Sequence, residues 1–199
     1  MSSSEEIRYA LKRLRRRGSR RWCSCRAVVA VIVVTGPSGP AVLLTRHGGG
    51  SSPPVERFAL LGGRMNRWAS ASGAARHWIA EDLEVHLPPE SVLGLLDDYV
   101  THTGLVITPV VLWVGEHAEL THHYDLPGSA VLAVPFTDLD VEPVFVMSAS
   151  SARPVIRLPL HGEWLHAPTA AVLHQFREVV LYHRPTRVAH LAPIPHSAG

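Results

Sequence analysis

The run Ala27 to Val34 (AVVAVIVV) contains no polar residue, and six of its eight residues are β-branched. Such residues lose rotamer freedom in a helix and pack well on a pleated surface, so the run is expected to be a strand. Successive strand side chains point to opposite faces, and this strand is apolar on both, so it must lie at the centre of a sheet covered on both sides. A layered fold mixing sheet and helix follows. Extended through Thr35 the run is nine residues long, far short of the ~20 that span a bilayer, and no membrane span is expected.

The remaining composition fits one globular body. The chain has 199 residues, 46% of them hydrophobic and 18% charged, too apolar for a disordered polymer and of a length that buries a sizeable core. The net charge of +2 conceals an asymmetry, because residues 1–26 carry nine basic residues and two acids while the rest carries ten basic and fifteen acidic ones. Three segments are therefore expected: a basic N-terminal helix or arm over 1–26, the main domain over 27–183, and a proline-containing, loosely ordered tail over 184–199. An Arg-rich stretch holding Glu5 and Glu6 stands where a secretory signal would be apolar, which makes the cytoplasm the expected location. Cys23 and Cys25 are too few and too close for a disulfide framework and lack the spacing of a redox pair.

Local patterns divide the chain further. Ser4 to Arg17 has acids in its first turn, Ile7, Ala10, Leu11 and Leu14 at helical spacing, and arginines toward its end, the pattern of a basic amphipathic helix. Its Arg13, Arg15, Arg16, Arg17, Arg20 and Arg21 suggest weak contact with nucleic acid or an anionic surface. Packing of the helix on the acidic body through Leu11 and Leu14 is the competing reading. Ala41 to Arg46 is expected to pair back on the central strand across a Gly-Pro turn. Phe58 to Leu61 reads as a short strand ending at Gly62 and Gly63. A helix capped by Ser70 or Ser72 is expected to run to about Val85, burying Ala75, Ile79 and Leu83. Val92 to Val100 and Leu105 to Val114 read as antiparallel strands, Ala130 to Pro135 and Pro154 to Leu160 as shorter ones, and Pro168 to Tyr182 as a second long helix. The class is α/β or α+β.

Read from Gly63, the segment through Val85 resembles a Nudix box, the loop-helix-loop signature of nucleoside-diphosphate-X hydrolases. The family pattern runs Gly, five residues, Glu, seven residues, Arg-Glu-apolar-x-Glu-Glu-x-Gly-apolar. Without a gap it sets Gly63, Ile79, Glu81 and Val85 on matching positions and Asp82 on a conservative one. Ala69 stands in place of the first Glu, His77 of the Arg, Trp78 of the following Glu, and Glu84 of the Gly. Leu43-Leu44-Thr45-Arg46 ahead of the box, Leu93 to Thr101 and Thr103 to Val111 behind it, then Val134-Pro135-Phe136 and Ala167 to Ala171, resemble the coenzyme A pyrophosphatase branch.

The resemblance implies an α/β/α sandwich with a mixed central sheet and two main helices. It also implies a Mg²⁺ or Mn²⁺ ion bridging helix carboxylates and a substrate diphosphate while water attacks phosphorus. Glu81 and Asp82 take the catalytic and metal-ligating places, with Arg46, Gly62, Gly63, Arg64 and Trp78 against a nucleotide-like substrate. Positions i, i+3 and i+4 of a helix share a face, and here they are Trp78, Glu81 and Asp82. Two of three acids thus survive, Asn66 is neutral, and Pro127-Gly128 replaces a Glu-Val pair expected before Val134. Mg²⁺ often needs only one or two carboxylates besides substrate phosphates, whereas loss of a positioned acid or base costs about 10² to 10⁴ in rate.

Two functions are consistent with this pattern: a pyrophosphohydrolase of coenzyme A-like compounds with weakened or lost activity, or a catalytically silent domain that binds a nucleotide or protein partner, with no cofactor. Asp97, Asp98 or Glu116 are candidate replacement acids. Plainer roles compete at each residue. Glu81 and Asp82 suit solvated charges at a helix end, Trp78 suits packing under a loop, His77 a surface pair with Glu81, and Gly62 and Gly63 a turn with positive φ. His117, His122 and His123 lie near Glu116, Glu119 and Asp125 without the cysteines of a structural zinc site, which favours a solvated loop. The oligomeric state is open.

Overall fold

The computed structural model describes residues 3–19, 25–47, 57–66, 70–115, 124–126, 129–147 and 153–192. The apolar run forms β1 (Arg26–Gly36), and residues Ala30 to Val34 each have 0% exposure. One edge of β1 pairs along its length with the parallel strand β7 (Val106–Gly115). Two antiparallel strands divide the other edge: β2 (Gly39–His47) pairs with Val33 to Gly36, and β4 (Leu61–Arg64) pairs with Ala27 to Ala30. β3 (Arg57–Ala59) lies on β2. β5 (Val92–Leu95) and β6 (Tyr99–Val100) both pair with β7, while β9 (Ser129–Pro135) pairs with β2 and carries β8 (Tyr124–Leu126) outside it. The spatial order is β5-β7-β1-β2-β9-β8. A separate antiparallel sheet holds β10 (Val144–Met147), β11 (Pro154–Leu160) and β12 (Glu163–His166).

Each face of the mixed sheet carries its own core. Val28, Ala30, Ile32, Val34 and Leu43 pack under α2 (Ala71–Leu83), through its Ala75, Ile79 and Leu83. The alternate residues Val31, Val33, Val42 and Leu44 face the opposite way, into a core with α1 (Ser4–Leu14) and α4 (Thr169–Val180); the short α3 (Phe136–Leu139) lies between β9 and the second sheet. This two-faced sheet between helices is the layered α/β arrangement that the apolar central strand requires. Among the described residues no helix is long and apolar enough to cross a membrane.

The basic N-terminal helix is part of the body. Ser3 and Glu6 form a reciprocal capping box, and Ile7, Ala10, Leu11 and Leu14 are buried against β5 and α4. Arg8 donates to the carbonyls of Val92 and Glu90 at 3.0 Å each. Past α1 the chain is held by two adjacent buried acids. Asp97 accepts from the Arg17 amide at 2.6 Å, Gln175 at 3.0 Å and Arg187 at 2.9 Å; Asp98 accepts from Arg16, the Ser19 amide at 2.7 Å and Thr108 at 2.7 Å.

These acids also break the continuous strand expected over Val92 to Val100 into β5 and β6, because both carboxylates turn inward to their partners. A second difference lies in the short strand expected over Phe58 to Leu61 and ending at Gly62 and Gly63: it is divided at Leu60 into β3 and β4, and β4 runs through both glycines to Arg64. A third concerns the C-terminal segment, expected to be loose from Arg184. Val188, Leu191 and Ala192 are buried, Arg187 also donates to the Leu14 carbonyl at 2.7 Å, and the Ala192 amide donates to Pro154 at 2.8 Å.

Candidate functional site

The box segment forms a strand–helix unit, β4 leading to α2, on the face of the sheet away from α1. Gly62 lies where β4 approaches β1 most closely: it has φ +149°, and a Cβ there would stand 2.1 Å from the Val28 carbonyl oxygen. Only glycine fits this conformation and this approach. Gly63 lies opposite Val28, on the α2 face. A Cβ on Gly63 would fall 2.3 Å from Cε2 and Cζ2 of Trp78, so the six-membered ring of the indole sits over the glycine backbone. The indole Nε1 donates to the Arg64 carbonyl at 3.1 Å. Trp78 is thereby tied to β4 at both its ring and its nitrogen.

α2 begins at Ser70, whose hydroxyl accepts from the Gly73 amide at 3.0 Å. It ends at Glu84, held at φ +56° in the left-handed region, a conformation that most often falls to glycine at a helix C-terminus. Glu81 is exposed and Asp82 half-buried in the last turn, which has no basic residue. Carboxylates there meet the negative end of the helix dipole. Burial, and secondly the charge of Glu81, raise the pKa of Asp82 above its ordinary value. Among the described residues no cation pairs with these two carboxylates, which lie one turn beyond the indole.

Such a pair fits a divalent ion that keeps most of its water and takes further oxygens from a phosphate ligand. It does not form a closed site, since among the described residues no third His, Cys, Asp or Glu joins it in a metal-holding group. One turn before this pair, the Trp78 indole packs on Gly63. His77 is exposed, its ring 5.9 Å from that of Trp78.

Of the residues singled out from the sequence, Gly62, Gly63, Arg64, Trp78, Glu81 and Asp82 belong to this one unit. Arg64 is exposed and contributes its carbonyl. Arg46 stands apart. It alternates with Leu43 and Thr45 on β2, sharing the parity of Val42 and Leu44 and the register position of Phe58, all of which belong to the opposite core. Asp97 and Asp98 do not supply the missing acids either, being bound to the N-terminal segment, Gln175 and Thr108 on the far side. Ala69, the loop 48–54, Pro127, Gly128, and the cluster of His117, His122, His123, Glu116 and Glu119 lie outside the described residues, as do Arg20, Arg21 and Cys23. The sequence reading missed that Arg187 joins Asp97 to α1. No spacing signals such a contact, which spans 90 positions in the chain.

No family model matches the chain, and no curated protein is similar to it in sequence. Solved structures are similar. A MutT/nudix family protein from Enterococcus faecalis has a TM-score of 0.53 at 15% identity, over 93% of this chain and 78% of that one. A Nudix hydrolase from M. smegmatis has a TM-score of 0.47 at 20% identity, over 82% of this chain and 91% of the other. With a mixed sheet between helices, the chain has the Nudix fold.

Proposed function

We propose that this chain is a Nudix-fold protein that takes a nucleotide-like diphosphate compound, coenzyme A-like in class, against β4 and α2, and hydrolyses it far more slowly than an enzyme with a full set of acids. The observation that carries this reading is the Trp78 indole packed on Gly63 and bonded to the Arg64 carbonyl. In this reading a bulky neutral group stands where a carboxylate would help hold a cation. Glu81 and Asp82 are the metal ligands in this reading, with Mg²⁺ or Mn²⁺ held mainly when a phosphate ligand is present. The ion would supply charge neutralisation at the diphosphate and activation of a water. The chain's own residues would bind and orient the ligand: Glu81 and Asp82 through the ion, and the half-buried Trp78 as a surface for a planar ring.

Loss of one positioned acid or base costs about 10² to 10⁴ in rate, against an ordinary kcat of about 10 s⁻¹. Purified protein incubated with coenzyme A and Mg²⁺ or Mn²⁺ is therefore expected to turn over at or below about 0.1 s⁻¹, and Glu81→Gln is expected to abolish the residual signal. An ordinary kcat, or turnover unaffected by Glu81→Gln, would overturn this reading. The second reading is a silent binding domain, which the fixed indole also favours. Binding of coenzyme A without metal and without any product would establish it in place of the first.

A further inference from the structure

On the face of the molecule away from α2, a groove of about 430 Å³ runs between α1 and the end of α4. Its lining has two parts. Ala10, Leu14, Val179 and Pro185 are apolar, while Arg13, His183 and Arg184 are basic against a single acid, Glu6. Glu6 is already engaged by the Ser3 amide at 2.8 Å in the capping box. Tyr9, 61% exposed, stands at the groove with the Arg13 guanidinium 5.7 Å from its ring centroid. The described contact of Arg13 is the Tyr9 hydroxyl at 3.4 Å; no carboxylate among the described residues pairs with it. Arg184 lies over the Tyr182 ring at 4.8 Å and only 3.5 Å from Glu178, with 64% of its side chain exposed.

An apolar floor flanked by two arginines suits a ligand with a planar apolar body and an anionic head. Guanidinium groups bind phosphate oxygens through several parallel donors, and an exposed tyrosine gives a ring something to stack on at low entropic cost. The volume lies in the range of small-molecule pockets, about 300–1,000 Å³. We propose that this groove is a binding site for a small aromatic phosphomonoester, with Arg13 and Arg184 on the phosphate and Tyr9 against the ring. It is separate from the β4–α2 unit, because the mixed sheet stands between them. The arginines of the N-terminal segment fall into two groups on this account: Arg8, in α1, and Arg16, just past it, hold the segment to the body, while Arg13 serves a ligand.

Calorimetric titration of the full chain with 1-naphthyl phosphate, 1-naphthol and inorganic phosphate separates the contributions of head and ring. Naphthyl phosphate is expected to bind at least tenfold more tightly than either fragment, with affinity falling as salt is raised. The exposed substitutions Arg13→Gln and Arg184→Gln are each expected to weaken it at least tenfold, Tyr9→Ala severalfold, with thermal unfolding unchanged. Glu81→Gln is expected to leave it as it is. Absence of binding at millimolar ligand, equal binding of naphthol, indifference to the arginine variants, or loss in Glu81→Gln would each overturn the proposal. Because the last variant belongs to the other face, failure here leaves the reading of α2 standing, and the reverse holds too.

Discussion

Trp78 and Gly63 define each other's space. A methyl group on Gly63 would meet the indole at 2.3 Å, so Gly63→Ala is expected to destabilise the chain by about 1–3 kcal/mol, the usual cost of overpacking. In a Trp78→Ala background the same change should cost less than half as much, and urea unfolding of the four proteins gives the coupling energy. Additive effects would mean that the ring does not sit over the glycine. Asp82 provides a second test at this scale. Its raised pKa means that the folded chain holds the proton more tightly than the unfolded one, so the stability it contributes is complete in acid and is lost as pH rises through the folded value. Asp82→Asn removes that loss. The variant's melting temperature should gain on wild type as pH rises from acid toward neutrality, and a constant difference would refute the assignment. Helical spacing in the sequence set Trp78 and Asp82 on one face of a helix, and both lie in α2. It could not tell that the indole turns down onto β4, because a half-buried tryptophan satisfies its N–H wherever a carbonyl is in reach.

At the level of elements, the N-terminal segment shows how much depends on partners distant in the chain. Asp98 is 6% exposed and gathers Arg16, the Ser19 amide and the Thr108 hydroxyl. Asp98→Ala leaves a buried hydroxyl and an amide without their acceptor, and about 3 kcal/mol of stability should go with it. Trypsin should then cut near Arg15 to Arg17 faster than in wild type; unchanged cleavage would show that the acid does not hold this segment. Local pattern made α1, α2, α4 and β1 readable, since their apolar spacing repeats within a few residues. It could not reveal that Asp97 and Asp98 face inward, since adjacent acids ordinarily mark a solvated turn and their partners lie some 80 positions away. For the same reason β10 and β12 carried no signal: four-residue strands without alternation resemble loop.

Over the whole molecule, the charge asymmetry of the sequence becomes a contact between layers. Residues 1–26 carry +7 from nine basic residues and two acids, and the rest of the chain −5 from ten and fifteen; among the described residues Arg16–Asp98 is one place where the two meet. The α1–α4 layer therefore completes the sandwich opposite α2, so that the two helical faces offer different chemistry: paired carboxylates beside an indole on one, arginines beside a tyrosine on the other. The central strand alone required covering on both faces, but which helices supplied it depended on tertiary contacts. The function proposed for the α2 face rests on the indole standing in for an acid. Its most direct measurement is the steady-state hydrolysis of coenzyme A with Mn²⁺ by Trp78→Glu beside wild type, with both proteins shown to be folded. A rise of at least tenfold in the variant is expected, whereas a fall as deep as that in Glu81→Gln would mean that the indole takes part in the reaction, and would contradict the account.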